Sequence, residues 1–282
     1  MTQLPHHKAL QLSDTGIRLR RMSMQPRNDS TVTNIHQNDY YIFGVVENGS
    51  GCGVIDFKEQ RFSSGEVFLI QPGQAHRLIS RGDAEGWMLF ADSSLVGSAE
   101  KCIFDDFSLF AGSFMIDTQR QKELGQLASI LARRMEGTAG KQTKATMRRL
   151  AETFIGIIAE AAQDINMQQT KHSRRHIELV LSFRRLLAEH LATSRKPSYY
   201  ASRLNISAVY LNEVVKGITG MSATRYIKNE VVLQAKRLLV HTTLAVKEIS
   251  DLLGIDDYAY FSRLFAQATG IPPTLFRERN LE

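Results

Sequence analysis

Residues Leu204 to Ile227, LNISAVYLNEVVKGITGMSATRYI, recur as residues Leu253 to Arg277, LGIDDYAYFSRLFAQATGIPPTLFR. This repeat indicates the fold of the C-terminal part of the chain. The matching pairs are fifty positions apart: Leu211 with Phe261, Val215 with Phe265, Thr219 with Thr269, Gly220 with Gly270 and Tyr226 with Phe276. Leu204 and Leu253 are one position closer, so a one-residue length change lies between these points. Two copies of so short a unit are too few for a solenoid and indicate a tandem pair of modules.

The first copy has the pattern of a helix-turn-helix. Ser198 can cap a short helix, and Ser207 can cap a second one. Asn205 and Ile206 lie between the helices and predict a tight turn. The second helix places Leu211, Val214 and Val215 on a buried face. Its outward face is predicted to contact DNA through Ala208, Val209, Asn212, Glu213 and Lys216.

The second copy repeats this layout. Val246, Ile249, Leu252 and Leu253 are predicted to be the buried side of its first helix, Gly254 to turn the chain, and Asp256 or Asp257 to cap the next helix. Phe261, Leu264 and Phe265 are expected to face or flank the core. The outward face is predicted to contact DNA through Tyr258, Ala259, Tyr260, Ser262 and Arg263. One long helix around Val231 to Leu239 is expected to join the modules.

Composition and charge agree with two globular domains of different character. A length of 282 residues with 43% hydrophobic residues allows two cores. From Lys171 to the end there are 17 Lys and Arg against 10 Asp and Glu, a net charge of +7, whereas the preceding residues carry −1. A basic C-terminal domain favours a polyanionic partner. No apolar stretch is long enough for a membrane span and the start lacks a secretory pattern, so we expect a cytoplasmic protein.

The N-terminal part is predicted to be a small β-barrel or sandwich followed by helices. Strand-like runs such as YYIFGVV and EVFLI lie between Tyr40 and Phe90, separated by turn sequences. Helical periodicity marks residues 122–135 and 154–165, with a connection over Glu136 to Thr143. The polar, basic stretch 166–175 is the expected linker, and a further helix is expected from His176 to His190. The predicted domains are therefore 1–165, with a barrel at about 30–95 and helices at about 120–165, and 176–282.

The C-terminal residues resemble the DNA-binding domain of the AraC/XylS family of bacterial transcription regulators. The resemblance covers about Pro197 to Arg279 and rests on strings that include LNIS, VVKGITG, LGI, YFSRLF and TGIPP. It implies that each module inserts a helix into the DNA major groove, with the two inserted helices about one helical turn of DNA apart. The family often has Arg where this chain has Glu213 on the first recognition helix and Val231 at the start of the joining helix. Glu213 can accept a hydrogen bond from cytosine or repel a phosphate, so base recognition by the first module departs from the family pattern. Ile255 replaces the usual Phe of the second turn, and Ala266 replaces a usual Lys, which should weaken a contact to the DNA backbone.

The N-terminal strands resemble the cupin-like sensor domains of the same family, mainly in QNDYYIFGVVENGSG and VFLIQPGQAHRL. His36 and His76 are isolated and no His-x-His string occurs there, so neither a metal nor catalysis is expected. His76 is expected to fix the start of a strand, and Tyr41, Phe43, Trp87 and Phe90 to belong to the core. Cys52 and Cys102 are expected to be reduced, partly buried thiols. The pocket residues cannot be assigned.

The sequence therefore predicts an α+β protein: a cupin-like β-barrel followed by helices, then an all-α domain with two helix-turn-helix motifs joined by a long helix. The predicted function is sequence-specific DNA binding in transcription regulation, without a cofactor. The resemblance implies a small-molecule effector, a homodimer, contact with RNA polymerase, and activation more often than repression. The predicted contacts to phosphate or to the groove are Lys216, Arg225, Lys228, Lys236, Arg237 and Arg263. The residues predicted to read bases are Asn212, Glu213, Tyr258, Ala259, Tyr260 and Arg263.

Several alternatives remain open on the sequence. The helices at 122–165 either mediate dimerisation or pack on the barrel. The chain could also be a small-molecule-binding cupin protein whose helical module binds a protein partner, with the basic residues forming only a solvated face. A cupin enzyme with an unrelated helical appendix is the third reading, against which the missing metal-binding pattern argues.

Overall fold

A computed structural model describes residues 14–22, 37–79, 82–107, 112–136, 140–169 and 173–281. The chain divides into two compact units, with the division between Gln169 and Thr170. This division lies within the predicted linker, but helices continue into that stretch from both sides: one ends at Gln169 and the next begins at Arg174. Ser173 caps the second of these helices, because its side chain accepts a hydrogen bond from the backbone N–H of His176.

The described part of the N-terminal unit contains antiparallel strands that form two sheets. The first sheet has the order β1-β7-β2-β5-β8 and the second the order β4-β3-β6. The strands are β1 (Ile17–Met22), β2 (Tyr40–Asn48), β3 (Ser50–Ile55), β4 (Lys58–Ser63), β5 (Glu66–Ile70), β6 (His76–Ile79), β7 (Glu85–Asp92) and β8 (Ser113–Met115). The strands thus start before and end after the predicted limits of 30 and 95. The start of β1, IRLRRM, alternates apolar residues with arginines, which is a strand pattern that the sequence analysis did not single out.

The five-stranded sheet has an apolar core on each of its faces. Alternate residues of β2 supply the two cores, since successive side chains of a strand point to opposite faces. Tyr40 and Ile42 pack with Ile55 and Phe62 of the smaller sheet, so the two sheets face each other. Tyr41, Phe43, Val45 and their neighbours on β5 and β7 pack instead against helices. The N-terminal unit therefore has three layers, small sheet, large sheet and helices.

The helical layer consists of α1 (Ser98–Phe107), α2 (Thr118–Met135) and α3 (Lys141–Gln169). Leu124 and Leu131 of α2 and Phe154 and Ile158 of α3 are buried in the core that lies on the large sheet. Packing against the large sheet therefore accounts for these apolar residues of α2 and α3, although Ile130 of α2 is exposed. Sequence periodicity did not reveal α1, and the connection between α2 and α3 is shorter than predicted.

The described part of the C-terminal unit is helical: α4 (Arg174–His190), α5 (Pro197–Arg203), α6 (Ala208–Thr219), α7 (Ala223–His241), α8 (Val246–Leu252), α9 (Tyr258–Thr269) and α10 (Pro273–Leu281). Each module is a pair of helices joined by a short turn, α5 with α6 and α8 with α9, and α7 is the joining helix.

The second helices of the two modules, α6 and α9, end in the same way. The hydroxyl of Thr219 donates to the carbonyl of Val215, that of Thr269 to the carbonyl of Phe265, and a left-handed glycine follows each threonine.

Three details of the modules differ from the sequence expectations. Ser198 is not a cap, because α5 begins at Pro197 and its N-cap is Lys196, which makes no side-chain cap hydrogen bond. Leu252 is exposed rather than buried, because α8 is only two turns long and its inner face is filled by Val246, Ile249 and Leu253. Val231 lies in the middle of α7 and is buried, so an arginine there would have to enter the core.

Candidate nucleic-acid interface

Helix α6 presents an open face formed by residues with small or charged side chains. Its N-cap is Ser207, whose hydroxyl oxygen accepts a hydrogen bond from the backbone N–H of Tyr210 at 3.0 Å. Leu211, Val214 and Val215 are buried, as predicted. On the opposite side Val209 is 70% exposed, Glu213 and Lys216 are exposed, and Ala208 is half-buried. An exposed helix face that begins with small side chains can enter the major groove.

Asn212 has a structural partner that the sequence did not reveal. Its side-chain oxygen accepts a hydrogen bond from the backbone N–H of Ala223 at 3.1 Å, at the start of α7. The first N–H groups of a helix have no partner within the helix, so Asn212 stabilises the start of the joining helix. The paired hydrogen bonds that an asparagine makes to adenine need this same oxygen.

Helix α9 presents the corresponding face of the second module. Asp257, one of two predicted caps, accepts a hydrogen bond from the backbone N–H of Tyr260 at 2.9 Å. Phe261 and Phe265 are buried as predicted, and Leu264 is half-buried. The outward side chains are Tyr258 at 43% and Tyr260 at 42% exposure, exposed Ala259 and Arg263, and half-buried Ser262. This face carries more aromatic surface than α6, together with an arginine.

The predicted cationic contacts fall into two groups. Lys216, Arg225, Lys228 and Arg263 are exposed. Lys236 and Arg237 are half-buried, and the Lys236 ammonium lies 5.6 Å from the centre of the Phe276 ring. Cations of the first group are available to phosphate oxygens, whereas Lys236 is engaged with the core of the second module.

Arg203 is an additional exposed cation that the sequence reasoning did not single out. It lies at the end of α5, the first helix of a module, with its guanidinium 4.1 Å from the centre of the Tyr199 ring. This stacking holds the charge in place on the surface. The first helix of a helix-turn-helix crosses the DNA backbone, and the Tyr-x-x-x-Arg spacing on one helix face was the signal that could have found it.

Between the two sheets of the N-terminal unit lie buried polar groups. One ring nitrogen of His76 lies 3.2 Å from the side-chain nitrogen of Asn38, and the other lies 3.0 Å from the carbonyl oxygen of Gln74. These bonds fix the start of β6. Burial, reinforced by the charge of Asp39, raises the pKa of Tyr40 to about 12, so its hydroxyl stays protonated at neutral pH. Within the described residues, neither this hydroxyl nor the side-chain oxygen of Asn38 has a hydrogen-bond partner of good geometry, and the nearby Asn38 side chain lowers the pKa of Tyr40 less than burial raises it.

Three of the four aromatic residues that were expected in the N-terminal core are buried there. Tyr41, Phe43 and Phe90 are core residues, and Trp87 is partly buried with the Arg21 guanidinium 4.8 Å from its ring centre. Both cysteines are free thiols, but Cys102 is exposed rather than partly buried. His36 lies outside the described residues.

Among the residues that are described, no group of three or more His, Cys, Asp or Glu side chains could hold a metal ion. None of the described helices is long and apolar enough to cross a membrane.

Two family models match the chain, one in each unit. The model of the AraC-like ligand binding domain matches residues 25–154, and that of a helix-turn-helix domain matches residues 200–279. The first match begins after β1, spans β2 to β8 with α1 and α2, and ends within α3. The second begins in α5 and ends in α10, so it includes both helix-turn-helix modules and the joining helix.

Curated relatives match over most of the chain. The transcriptional activator RhaR of Shigella dysenteriae is 23% identical over 252 residues, which cover 87% of this chain and 87% of the relative. The transcriptional activator RhaS of Pectobacterium carotovorum is 23% identical over 269 residues, covering 92% of each chain.

Solved structures with similar chains include ToxT from Vibrio cholerae, which is 12% identical with a TM-score of 0.46 over 94% of this chain and 98% of that one. The C-terminal domain of AraT from Geobacillus stearothermophilus is 27% identical with a TM-score of 0.36, over 40% of this chain and 91% of that one. The two family models occur in the order of the two units, and the relatives match across both. The chain belongs to the AraC/XylS family and is a DNA-binding transcription regulator with a ligand-binding domain.

Proposed function

We propose that this regulator binds duplex DNA sequence-specifically by placing α6 and α9 in two adjacent major-groove segments. This proposal rests on the structural similarity of the two helices. Each has an N-cap residue, a buried apolar seam and an outward face with an exposed cation, Lys216 on α6 and Arg263 on α9. DNA-binding helices of this class read bases from such a face near their N-terminal end.

Base recognition is assigned to Ala208, Val209 and Glu213 on α6 and to Tyr258, Ala259, Tyr260, Ser262 and Arg263 on α9. Lys216, Arg203, Arg225 and Lys228 are assigned to phosphate contacts. Asn212 is assigned a positioning role because its oxygen is bonded to Ala223. With Glu213 on α6 and Arg263 on α9, the second module is expected to contribute more of the affinity.

Hydroxyl-radical footprinting on the chain's own upstream DNA tests this arrangement. The expected result is protection of two segments about one helical turn apart on one face of the duplex, since both helices come from one unit. Protection of a single segment would show that only one module binds. No protection, with or without effectors, would favour a protein-interaction module instead.

We further propose that the N-terminal unit binds a small-molecule effector between its two sheets and that the chain acts in the cytoplasm as a homodimeric activator that contacts RNA polymerase. The names of the relatives support activation. The buried hydroxyl of Tyr40 and side-chain oxygen of Asn38 support the location, because buried polar atoms normally have a partner.

Thermal unfolding with a panel of sugars and small metabolites tests the effector. A ligand is expected to raise the unfolding midpoint of the unmodified chain, since it binds the folded state. Tyr40→Phe removes only the hydroxyl, so it should reduce this rise. An equal rise in both proteins would place the effector elsewhere. If no compound shifts the midpoint of the unmodified chain, the effector proposal loses its support.

A further inference from the structure

The segment between α4 and α5, residues Ala192 to Arg195, contacts the turn of the second helix-turn-helix module. A guanidinium nitrogen of Arg195 donates a hydrogen bond to the carbonyl oxygen of Leu253 at 2.9 Å. Leu253 is the C-cap residue of α8. Carbonyl groups at a helix C-terminus lack helical partners and carry the negative end of the helix dipole, so they favour a cation.

Gly254 shows independently that the two segments are in close contact. It adopts a left-handed conformation, with φ of +70°, and a Cβ atom at this position would lie 1.9 Å from the carbonyl oxygen of Ala192. The first module has Asn205 at the equivalent position, also left-handed with φ of +54°, and its side chain is exposed. The turn itself therefore accepts a side chain. Glycine is required in the second module because the backbone of Ala192 lies against it.

The same segment is fixed to the first module at its other end. Tyr200 of α5 is fully buried, and its hydroxyl donates to the carbonyl oxygen of Ser194, which precedes Arg195. The segment thus connects α5 of the first module with the turn between α8 and α9 of the second. This connection is separate from α7, which joins the modules covalently.

We propose that Arg195 is a positioning residue that couples the two helix-turn-helix modules and fixes the distance and angle between α6 and α9. Its consequence for recognition, which rests on the proposed function, is that binding depends strongly on the spacing between the two DNA segments. The coupling itself is a property of the free protein.

Distances between spin labels test the coupling without DNA. Glu213 and Gln267 are exposed on α6 and α9, so Glu213→Cys and Gln267→Cys place one label on each helix, in a chain with Cys52→Ser and Cys102→Ser. The chain with Arg195 is expected to give one narrow distance distribution by pulsed electron resonance. Arg195→Ala should broaden or shift it. Arg195→Lys, which keeps a donor, should broaden it less.

Two variants complete this test. Gly254→Asn copies the residue that the first module tolerates, so it should disturb the distribution through the collision with Ala192 even if Arg195→Ala fails to fold. Lys196→Ala removes a neighbouring exposed cation and should leave the distribution unchanged. Distributions that stay narrow in both Arg195→Ala and Gly254→Asn would overturn the proposal.

Binding to duplexes of altered spacing tests the consequence. Fluorescence anisotropy would compare the upstream duplex with duplexes that carry one or two extra base pairs between the protected segments. Arg195→Ala is expected to weaken binding to the original duplex by about tenfold, as for loss of one charged hydrogen bond. Insertion of base pairs should then weaken the binding of this variant by a smaller factor than it weakens the binding of the unmodified chain. A loss by the same factor on every duplex would assign Arg195 a purely structural role. Failure of the proposed function would appear differently, as absence of specific binding by the unmodified chain.

Discussion

At the scale of single residues, Glu213 and Arg263 occupy the same position of the repeat and both are exposed, yet their charges are opposite. Arg263→Ala is expected to weaken binding to the cognate duplex by about 1–3 kcal/mol, the range for a lost base contact. Glu213→Ala should instead strengthen binding to a scrambled duplex slightly, because it removes a charge that repels phosphate, and should reduce the preference for the cognate duplex, because it removes a base contact. Anisotropy titrations measure both effects. Arg185→Ala, which removes an exposed arginine of α4, is the matched control. An equal loss of affinity in this variant would show that Arg263 contributes only its charge.

Asn212 gives a second test at this scale. Asn212→Ala is expected to cost about 0.5–2 kcal/mol of stability, because the backbone N–H of Ala223 loses its partner. Asn212→Asp keeps an acceptor and should keep the stability, which urea unfolding measures. If Asn212 positions α7, the Asp variant retains the base preferences of the unmodified chain. Relaxed preference at one adenine of the operator in this variant would restore the role in base reading that the sequence predicted.

At the scale of helices, the N-caps of α6 and α9 stabilise the helix ends that the proposed function places against DNA. Ser207→Ala and Asp257→Ala are each expected to lower the free energy of unfolding by about 1 kcal/mol. Ser198→Ala is the control, because Ser198 lies inside α5 rather than at its cap. Chemical denaturation measures all three. An equal loss in Ser198→Ala would contradict the assignment of the caps.

Two other N-cap residues, Asp92 and Asp117, are expected to make the stability of the N-terminal unit depend on pH. Hydrogen bonds from the Ser94 hydroxyl and backbone N–H lower the pKa of Asp92, and a hydrogen bond from the Arg120 backbone N–H lowers that of Asp117 at the start of α2. A depressed carboxyl pKa stabilises the fold above the unfolded value, near 3.8, and this contribution disappears as the pH falls through the folded value. Thermal midpoints measured from pH 6 to pH 2 should therefore fall less steeply in Asp92→Asn and Asp117→Asn. Unchanged steepness would show that other groups control acid unfolding.

The helices also show how far the sequence could be interpreted. Ser207 and Asp257 were predictable as caps because capping acts within three residues of the chain. Asn212 was not, since its partner Ala223 lies eleven positions away, beyond the turn at Gly220. Leu252 was misplaced because hydrophobicity in a two-turn helix does not define which side is buried.

At the scale of the whole molecule, the order of the two units and the strand-rich character of the first followed from local sequence patterns. The assembly of the strands did not, because register and sheet order depend on contacts between distant segments, such as β1 with β7. The base contacts were predicted from outward positions on α6 and α9 and remain a prediction, since exposure alone does not identify a base. The contact between Arg195 and Leu253, fifty-eight positions apart, left no local signal.

We infer that the C-terminal unit recognises a particular DNA sequence. The most direct measurement is fluorescence anisotropy of the full chain on its own upstream duplex and on a scrambled duplex, across a series of salt concentrations. We predict that affinity for both falls as salt rises, because phosphate contacts release counterions, while the preference for the upstream duplex persists. Equal binding to both duplexes that disappears with salt, with and without candidate effectors, would show that the chain binds DNA only through its charge and not sequence-specifically.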